Sequence, residues 1–312
     1  MSRARGEPGT GGRSPRVEAV RKRVVAAGEK VAPAQGDVRA GKRGWSSLKT
    51  RVVTAAVFSL STVALILISM VTTVVAVAVL SGLCAFEFYT MLRADAKLPN
   101  VLVGTVTAAL YPVTYAVWQF NGVLSLTTAF AVVLLVWYVF DTHSRVTDIA
   151  ITLFGALYTG LMLTSLVIIR EIVPGFWGGA LVFAILLSVW ANDALAFFVG
   201  SRFGRHKMAQ HISPKKSWEG FWAGMVASVA IWCLIPLIPG MSLHYAWAVV
   251  GGIACGWIGI LGDLVESRIK RGTGHKDSGN LLPGHGGFLD RCDSLILVAA
   301  MASLILRFSG IF

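Results

Sequence analysis

Residues 262–293 read GDLVESRIKRGTGHKDSGNLLPGHGGFLDRCD and lie between two apolar segments, IACGWIGIL before them and SLILVAAMASLIL after them. The stretch holds five of the 16 acidic residues of the chain, with five basic side chains and several glycines. Its charged residues are Asp263, Glu266, Asp277, Asp290, Asp293, Arg268, Lys270, Arg271, Lys276 and Arg291. Carboxylates bind Mg²⁺, Lys and Arg bind phosphate, and glycines let backbone N–H groups approach a phosphate closely. The stretch therefore predicts Mg²⁺-dependent chemistry on a phosphorylated substrate at a membrane surface.

The composition of the whole chain is that of an integral membrane protein. Of its 312 residues, 55% are hydrophobic and 14% are charged, whereas an ordinary soluble domain carries about 25% charged residues. A helix needs about 20 apolar residues to cross roughly 30 Å of hydrocarbon. The sequence therefore predicts an all-α polytopic membrane protein with about nine transmembrane helices, at 52–69, 71–90, 100–118, 122–140, 148–169, 177–200, 220–239, 244–263 and 293–311.

The distribution of basic residues predicts which side of the membrane each loop faces. Residues 1–50 are rich in Gly, Arg and Ala and predict a disordered cytoplasmic tail, with a partner-binding arm as the alternative. The transmembrane catalytic domain would then cover 51–312. With the tail inside, nine helices place 26 of the 28 Lys and Arg residues on the cytoplasmic side. The net charge of +12 is thus explained by basic loops facing anionic lipid rather than by nucleic acid. We expect a multi-pass protein of the cell membrane with its active site facing the cytoplasm.

A second group of polar residues lies around 193–219. Asp193 sits inside an apolar run, where a carboxylate is costly and normally faces a cavity or a partner. Ser213-Pro214 opens a turn, and Lys215 and Lys216 stand just before a predicted helix start at Ser217. A helix N-terminus with two lysines is a ready anion site. The alternatives are an ion pair that locks helix packing for Asp193 and a solvated basic loop for the lysines.

Within 262–293, two predicted helix ends carry carboxylates on opposite sides of one loop. Asp263 ends one predicted helix, and Asp290 and Asp293 lie three residues apart at the start of the next. Acidic residues at a helix N-terminus are also stabilised by the helix dipole, so capping is the alternative for this pair. Otherwise the carboxylates predict a site for one or two divalent ions. His285 is a candidate general base or hydrogen-bond donor, or else a structural turn residue.

These residues together resemble the signature of the phosphatidate cytidylyltransferases, or CDP-diacylglycerol synthases. The matching pattern is Ser267-x-x-Lys270-Arg271, Lys276-Asp277 and Pro283-x-His285-Gly286-Gly287-x-x-Asp290-Arg291-x-Asp293. Upstream, Asp193-x-x-Ala196-Phe197 and the run Ser213 to Gly220 are also similar, so the strongest match covers 185–312. Farther toward the N-terminus the resemblance is limited to hydropathy and Glu87-Phe88-Tyr89. Phe197 and Cys292 depart from the family pattern, but neither departure removes a charged group.

The resemblance implies the reaction of CTP with phosphatidate (phosphatidic acid) to give CDP-diacylglycerol and pyrophosphate. It further implies Mg²⁺, K⁺ as a second cation, and an all-helical fold in the lipid bilayer that forms a homodimer. Asp263, Asp290 and Asp293 would hold the cations. The catalytic residues would be Asp290, Asp263, Lys276, Arg291 and His285. The substrate-binding residues would be Ser213, Lys215, Lys216, Ser217, Ser267, Lys270, Arg271 and Asp193.

Three rival classes explain less of the sequence. An ion-coupled transporter would need an intramembrane acid such as Asp193, but it would not need the Lys-, Arg- and Gly-rich stretch. A CDP-alcohol phosphotransferase would carry a DGxxAR…GxxxDxxxD pattern, which the sequence lacks. A membrane scaffold without enzymatic activity leaves the carboxylate cluster unexplained.

Overall fold

The structure is a computed structural model. It describes residues 53, 56–93, 98–209, 213–279, 281 and 286–311, except for the side chains of 209, 214 and 215. The predicted cytoplasmic tail, residues 1–50, lies outside the described residues.

The described part of the chain consists of helices and one short antiparallel β-hairpin. In chain order the elements are α1 (Ala56–Ile68), α2 (Met70–Arg93), α3 (Val101–Phe140), α4 (Val146–Ile172), α5 (Phe176–Phe203), β1 (Lys207–Ala209), β2 (Ser213–Ser217), α6 (Trp218–Trp232), α7 (Tyr245–Gly272) and α8 (Leu289–Phe308). Helix α4 contains a π-helical turn at Leu157–Leu161, and a 3₁₀ turn at Ile235–Leu237 follows α6.

Six helices in the described ranges are long and apolar enough to cross a membrane. They are α2, α3, α4, α5, α6 with the 3₁₀ turn that follows it, and α7. This confirms the prediction of an all-helical, polytopic membrane protein. Helix α1 is apolar but shorter, and α8 carries charged residues in its first and last turns.

Helix α3 is a pair of antiparallel arms rather than one straight rod. Gln119 interrupts it with the non-helical angles φ 56° and ψ −145°. The hydroxyl oxygens of Tyr111 and Thr127 lie 2.9 Å apart, although 16 residues of straight helix would separate them by about 24 Å. Gly122 packs against the carbonyl oxygen of Thr114, where a Cβ would clash. The break falls between the predicted segments 100–118 and 122–140, as expected.

The predicted break between the first two segments is also present. Ser69 is non-helical and separates α1 from α2. The Ser69 hydroxyl accepts a hydrogen bond from Thr72 N at 3.1 Å, and the Thr72 hydroxyl accepts one from Ser69 N at 3.1 Å. This reciprocal cap satisfies free backbone donors at the start of α2.

The predicted end of α7 was wrong, because the helix was expected to end at 263 but continues to Gly272. Helix α8 begins at Leu289, before the predicted apolar span 293–311, and Asp290 and Asp293 lie at its start as expected. Hydropathy follows the apolar layer, whereas a helix can extend beyond that layer with charged residues. As a result, Glu266, Ser267, Lys270 and Arg271 belong to a helix and not to a loop.

The helices that carry the polar residues pack closely through small residues. On α7, Gly251 lies against the ring of Trp232, and Gly252 accepts a 2.9 Å hydrogen bond from the Ser228 hydroxyl through its carbonyl. Farther along α7, a Cβ on Gly262 would lie 2.6 Å from the carbonyl oxygen of Asp293 on α8. Such contacts let helices approach closely where apolar burial gives no driving force. They fix the positions of α6 and α8 relative to α7.

Candidate active site

A cavity of about 500 Å³ opens between α5, the β-hairpin, α6 and α7. Its walls combine charged, small and apolar side chains. The lining residues are Asp193, Ala196, Phe197, Gly200, Ser201, Gly204, Lys207, Met208, Ser213, Lys216, Ser217, Gly220, Phe221, Ile260 and Asp263. Five predicted site residues therefore line the same cavity. Four of them lie on α5 and the hairpin, and the fifth is Asp263 on α7.

Lys216 joins the hairpin to α7 across this cavity. Its Nζ lies 2.7 Å from Asp263 Oδ2 and donates a hydrogen bond of 3.2 Å to the carbonyl oxygen of Ile260. The other carboxylate oxygen of Asp263 accepts a 3.1 Å hydrogen bond from the Ser267 hydroxyl. The two polar segments singled out in the sequence thus meet in space. The backbone of Lys215 lies in β2, and its side chain is outside what the structure describes.

Ser217 has a structural task as well as a position in the cavity wall. It is the N-cap of α6, and its buried hydroxyl accepts a hydrogen bond from Gly220 N at 3.3 Å. A Cβ on Gly200 or on Gly204 would lie 3.0 or 2.5 Å from this hydroxyl oxygen. The helix start expected at Ser217 is confirmed, and the two glycines of α5 and its C-cap make room for it.

Asp290 is held by the connection between α7 and α8. Its Oδ1 accepts a 2.6 Å hydrogen bond from Lys270 Nζ. Its Oδ2 accepts hydrogen bonds from the backbone N–H groups of Ser278 at 2.9 Å and Gly287 at 2.8 Å. Gly286 has a φ of 82°, and a Cβ there would lie 2.6 Å from Asp290 Oδ2. These glycines therefore serve the carboxylate of Asp290, whereas the sequence interpretation had assigned them to a phosphate.

Lys270 connects two carboxylates and is almost enclosed. Its Nζ lies 2.6 Å from Glu266 Oε2 as well as 2.6 Å from Asp290 Oδ1, and its side chain is 12% exposed. Glu266 is completely buried. With Asp263 and Ser267, these residues form a polar stripe on α7, spaced three and four apart at positions 263, 266, 267 and 270. One face of α7 therefore contacts both groups of site residues, because Asp263 contacts Lys216 and Lys270 contacts Asp290.

Asp293 lies where α7 and α8 cross. Its Oδ1 accepts a 2.6 Å hydrogen bond from Ser294 N, and its backbone packs on Gly262, next to Asp263. The carboxylates of Asp193, Asp263 and Asp293 are near enough for their negative charges to interact. Oxygen ligands and excess negative charge suit a hard divalent cation. However, no three Asp, Glu, His or Cys side chains in the described ranges have the arrangement of a ready metal site.

Four predicted site residues remain, of which three are exposed and one lies outside the described residues. Arg271, Lys276 and Arg291 are exposed around the 272–289 connection. His285 lies outside the described residues, so its predicted role stays a prediction.

Sequence reasoning missed two buried carboxylates in this region. Glu266 is one of the charged residues of 262–293 for which the sequence predicted no role, although it binds Lys270. Glu87 on α2 had been noted only as part of a short family match. It is 2% exposed, and Ser278 and Leu289 N donate hydrogen bonds to it. The available signal was a glutamate inside an apolar segment, which normally has a partner.

The fold and the cavity define a class of protein, a polytopic α-helical membrane protein with a cationic and acidic cavity at its helix ends. Residues 49–309 match the Cytidylyltransferase family, and the chain therefore belongs to that family.

Three relatives show how far the similarity extends. The phosphatidate cytidylyltransferase of Bacillus subtilis is 29% identical over 257 residues, covering 80% of this chain and 94% of that protein. The phosphatidate cytidylyltransferase of Mycobacterium bovis is 30% identical over 302 residues, covering 90% and 94%. Phosphatidate cytidylyltransferase 5, chloroplastic, of Arabidopsis thaliana is 34% identical over 270 residues, covering 76% and 66%.

Proposed function

We infer that this protein is a phosphatidate cytidylyltransferase, which converts CTP and phosphatidate into CDP-diacylglycerol and pyrophosphate. Membership of the Cytidylyltransferase family over residues 49–309 carries this conclusion. The relatives of that name match this chain over most of its length. The cavity is consistent with the reaction, because it presents lysines and carboxylates beside apolar side chains.

The cavity lining suits both the apolar chains and the anionic phosphate of a lipid phosphate. Phe197, Met208 and Phe221 form an apolar part of the lining, and Lys207 and Lys216 a cationic part. A phosphatidate can keep its chains in the bilayer while its phosphate reaches the lysines. We propose that Ser213, Lys215, Lys216 and Ser217 bind this phosphate or the triphosphate of CTP.

We propose that a divalent cation, Mg²⁺, binds at the carboxylates where α7 meets α8, with K⁺ as a second cation. The donor set of Asp263 and Asp293 fits a hard cation, since both side chains offer oxygen and lie near the carboxylate of Asp193. A cation that binds Asp263 Oδ2 must replace Lys216, which lies 2.7 Å from that oxygen. When bound, the cation would neutralise charge on the phosphates of CTP.

Asp290 is the third proposed cation ligand, and its hydrogen bonds determine how a cation could reach it. Both of its oxygens accept hydrogen bonds, Oδ1 from Lys270 and Oδ2 from two backbone N–H groups. A cation that reaches Asp290 Oδ1 must therefore replace Lys270 there. Lys270 would keep Glu266 as a partner at 2.6 Å, and its other N–H groups could then bind a substrate phosphate, which matches its proposed role in substrate binding.

The chemistry proposed is a direct transfer that needs no nucleophile from the protein. An oxygen of the phosphatidate phosphate forms a bond to the α-phosphorus of CTP, and the bond from that phosphorus to the pyrophosphate oxygen breaks. The protein supplies position and positive charge for the oxygens that gain negative charge. Lys216, Ser267, Lys270, Arg271, Lys276 and Arg291 are the proposed sources of that charge and positioning, with His285 as a hydrogen-bond donor or base.

Four further features belong to this proposal. The chain would cross the cell membrane nine times, with α1 and α8 among the crossing helices and α3 crossing twice. The cavity would face the cytoplasm, as the charge count favours. Two copies would form a homodimer. The basic tail, residues 1–50, would not belong to the catalytic domain, residues 51–312.

The function is tested with purified protein in detergent, CTP labelled at the α-phosphate, and phosphatidate. Label should move to the lipid fraction while an equal amount of pyrophosphate appears. The product should vanish with EDTA, return with Mg²⁺, and increase when K⁺ replaces choline at constant ionic strength. Asp263→Asn, purified in the same way, is the control for contaminating activity. Label that remains in CTP under all these conditions would refute the proposed function.

A further inference from the structure

Glu87 connects the N-terminal half of the protein to the connection between α7 and α8. It lies near the C-terminal end of α2, in the apolar sequence LCAFEFYTML, and is 2% exposed. Its Oε2 accepts a hydrogen bond of 2.9 Å from Leu289 N and one of 3.1 Å from the Ser278 hydroxyl. These partners are 202 and 191 residues away along the chain. A buried carboxylate in an apolar helix is costly, so the contacts that compensate for it merit a functional explanation.

The surroundings of Glu87 are shaped to admit its carboxylate. A Cβ on Gly279 would lie 2.7 Å from Glu87 Oε1, and a Cβ on Gly287 would clash with Glu87 Oε2. Any larger residue at either position would push the connection away from α2. Two glycines of the 262–293 stretch are therefore explained by the approach of Glu87.

The backbone that Glu87 contacts is the same backbone that holds Asp290. Ser278 gives its hydroxyl to Glu87 Oε2 and its N–H to Asp290 Oδ2, at 3.1 and 2.9 Å. The Ser278 hydroxyl also accepts a hydrogen bond of 3.3 Å from Asp290 N. Gly287, which packs on Glu87, donates its N–H to Asp290 Oδ2 at 2.8 Å. Displacing Glu87 would thus loosen both backbone donors of Asp290 at once.

We propose that Glu87 is a positioning residue for catalysis, which orients the Asp290 carboxylate through Ser278 and the backbone of 287–289. The inference rests on the proposed catalytic role of Asp290. A purely structural role would be to cap α8 at Leu289 N and fix α2 against α8. The two roles differ in what they change, because capping alone affects stability, whereas positioning affects turnover through the 276–290 segment.

The test compares Glu87→Gln with Glu171→Gln, a control for the loss of a hydrogen-bonded carboxylate at an exposed position. Glu171, at the end of α4, also accepts two side-chain hydrogen bonds, from Tyr115 and Gln119 at 2.8 Å each, but it takes no part in the site. In Glu87→Gln, kcat should fall on the order of 10- to 100-fold, while KM for CTP and for phosphatidate stays within about twofold. Peptides covering 276–290 should exchange their amide hydrogens faster. Glu171→Gln should change neither property.

Two results would overturn the proposal. One is a kcat of Glu87→Gln within about twofold of wild type. The other is unchanged hydrogen exchange in 276–290 with a lower melting temperature, which would leave only capping. Turnover of CTP by the wild-type protein is measured in the same experiment, so failure of the proposed function is distinguished from failure of this inference.

Ser278→Ala provides a second, independent test, which can be carried out even if Glu87→Gln does not fold. This variant removes the hydroxyl between Glu87 and Asp290 but keeps the backbone N–H that contacts Asp290. Its kcat should fall by about tenfold, the effect of one charge-assisted hydrogen bond. The double variant should be no slower than the slower single variant, because both act on the same contact. Wild-type kcat in Ser278→Ala, or additive losses in the double variant, would contradict the proposal.

Discussion

Replacing Lys216 by glutamine should lower kcat/KM by about 10- to 150-fold. The Lys216 ammonium group spans the cavity to Asp263 at 2.7 Å, and its side chain is 22% exposed, so solvent screens it only in part. A hydrogen bond to a charged group contributes about 1.5–3 kcal/mol, and each 1.36 kcal/mol corresponds to about a tenfold change in rate. Glutamine is shorter and neutral, so it would neither neutralise a substrate phosphate nor balance Asp263. Lys216→Arg keeps the charge and should lose less.

The assay measures kcat/KM separately for CTP and for phosphatidate, with α-labelled CTP and detergent-dispersed lipid. Arg205→Gln is the matched control, since Arg205 is exposed in the same segment and does not line the cavity. It removes the same charge and should leave both constants unchanged. Unchanged values for Lys216→Gln would refute the shared site, and the hairpin would then be only a basic loop that orients the protein in the membrane.

Three further predictions test other parts of the molecule. Asp290→Asn should abolish turnover while the protein still folds and inserts, because the carboxamide keeps the shape but loses the charge that Lys270 and a cation require; near-wild-type turnover at saturating Mg²⁺ would contradict this. Deleting residues 1–44 should leave kcat/KM in detergent within about tenfold of the full chain, since that segment is too charged to bury a core. Gly262→Val should lower the melting temperature, at a cost of about 1–3 kcal/mol for overpacking, because its Cβ would lie 2.6 Å from the Asp293 carbonyl oxygen. An unchanged melting temperature would show that α7 and α8 can separate without cost.

Much of the helical architecture was predictable from local sequence. Apolar runs identified the six described helices that are long and apolar enough to cross a membrane. The sequence also marked the break at Ser69 and the helix start at Ser217, which the structure confirms. These features depend on hydropathy and on capping by a nearby hydroxyl, both of which involve residues close in the chain. The charge asymmetry had placed the two polar segments on one side of the membrane, but the ion pair of Lys216 with Asp263 was not predicted, since the lysine was expected to bind a phosphate.

The contacts of the 276–290 segment were not predictable in the same way. Glu87 meets Ser278 and Leu289 across about 200 residues of chain, and no local pattern records such a pairing. Nor did the sequence indicate that Lys270 would lie between two carboxylates, since a lysine near a predicted phosphate site looks like a phosphate ligand. The length of α7 was underestimated for a related reason, because its last turns lose apolar character without losing helical hydrogen bonds.

The polar stripe of α7 fixes the distance between two parts of the site, because both parts are held by residues of one helix. Asp263 and Lys270 are seven residues apart on the same face, so helix geometry fixes their separation along the axis at about 10.5 Å. The Lys216 contact and the Asp290 contact are therefore spaced by backbone geometry rather than by loop conformation. Inserting or deleting one residue between them would turn the far end by about 100° and face one contact away from the other. Insertions and deletions can be tolerated in the connections between helices. Between 263 and 270 they cannot, because this segment must contact both Lys216 and Asp290.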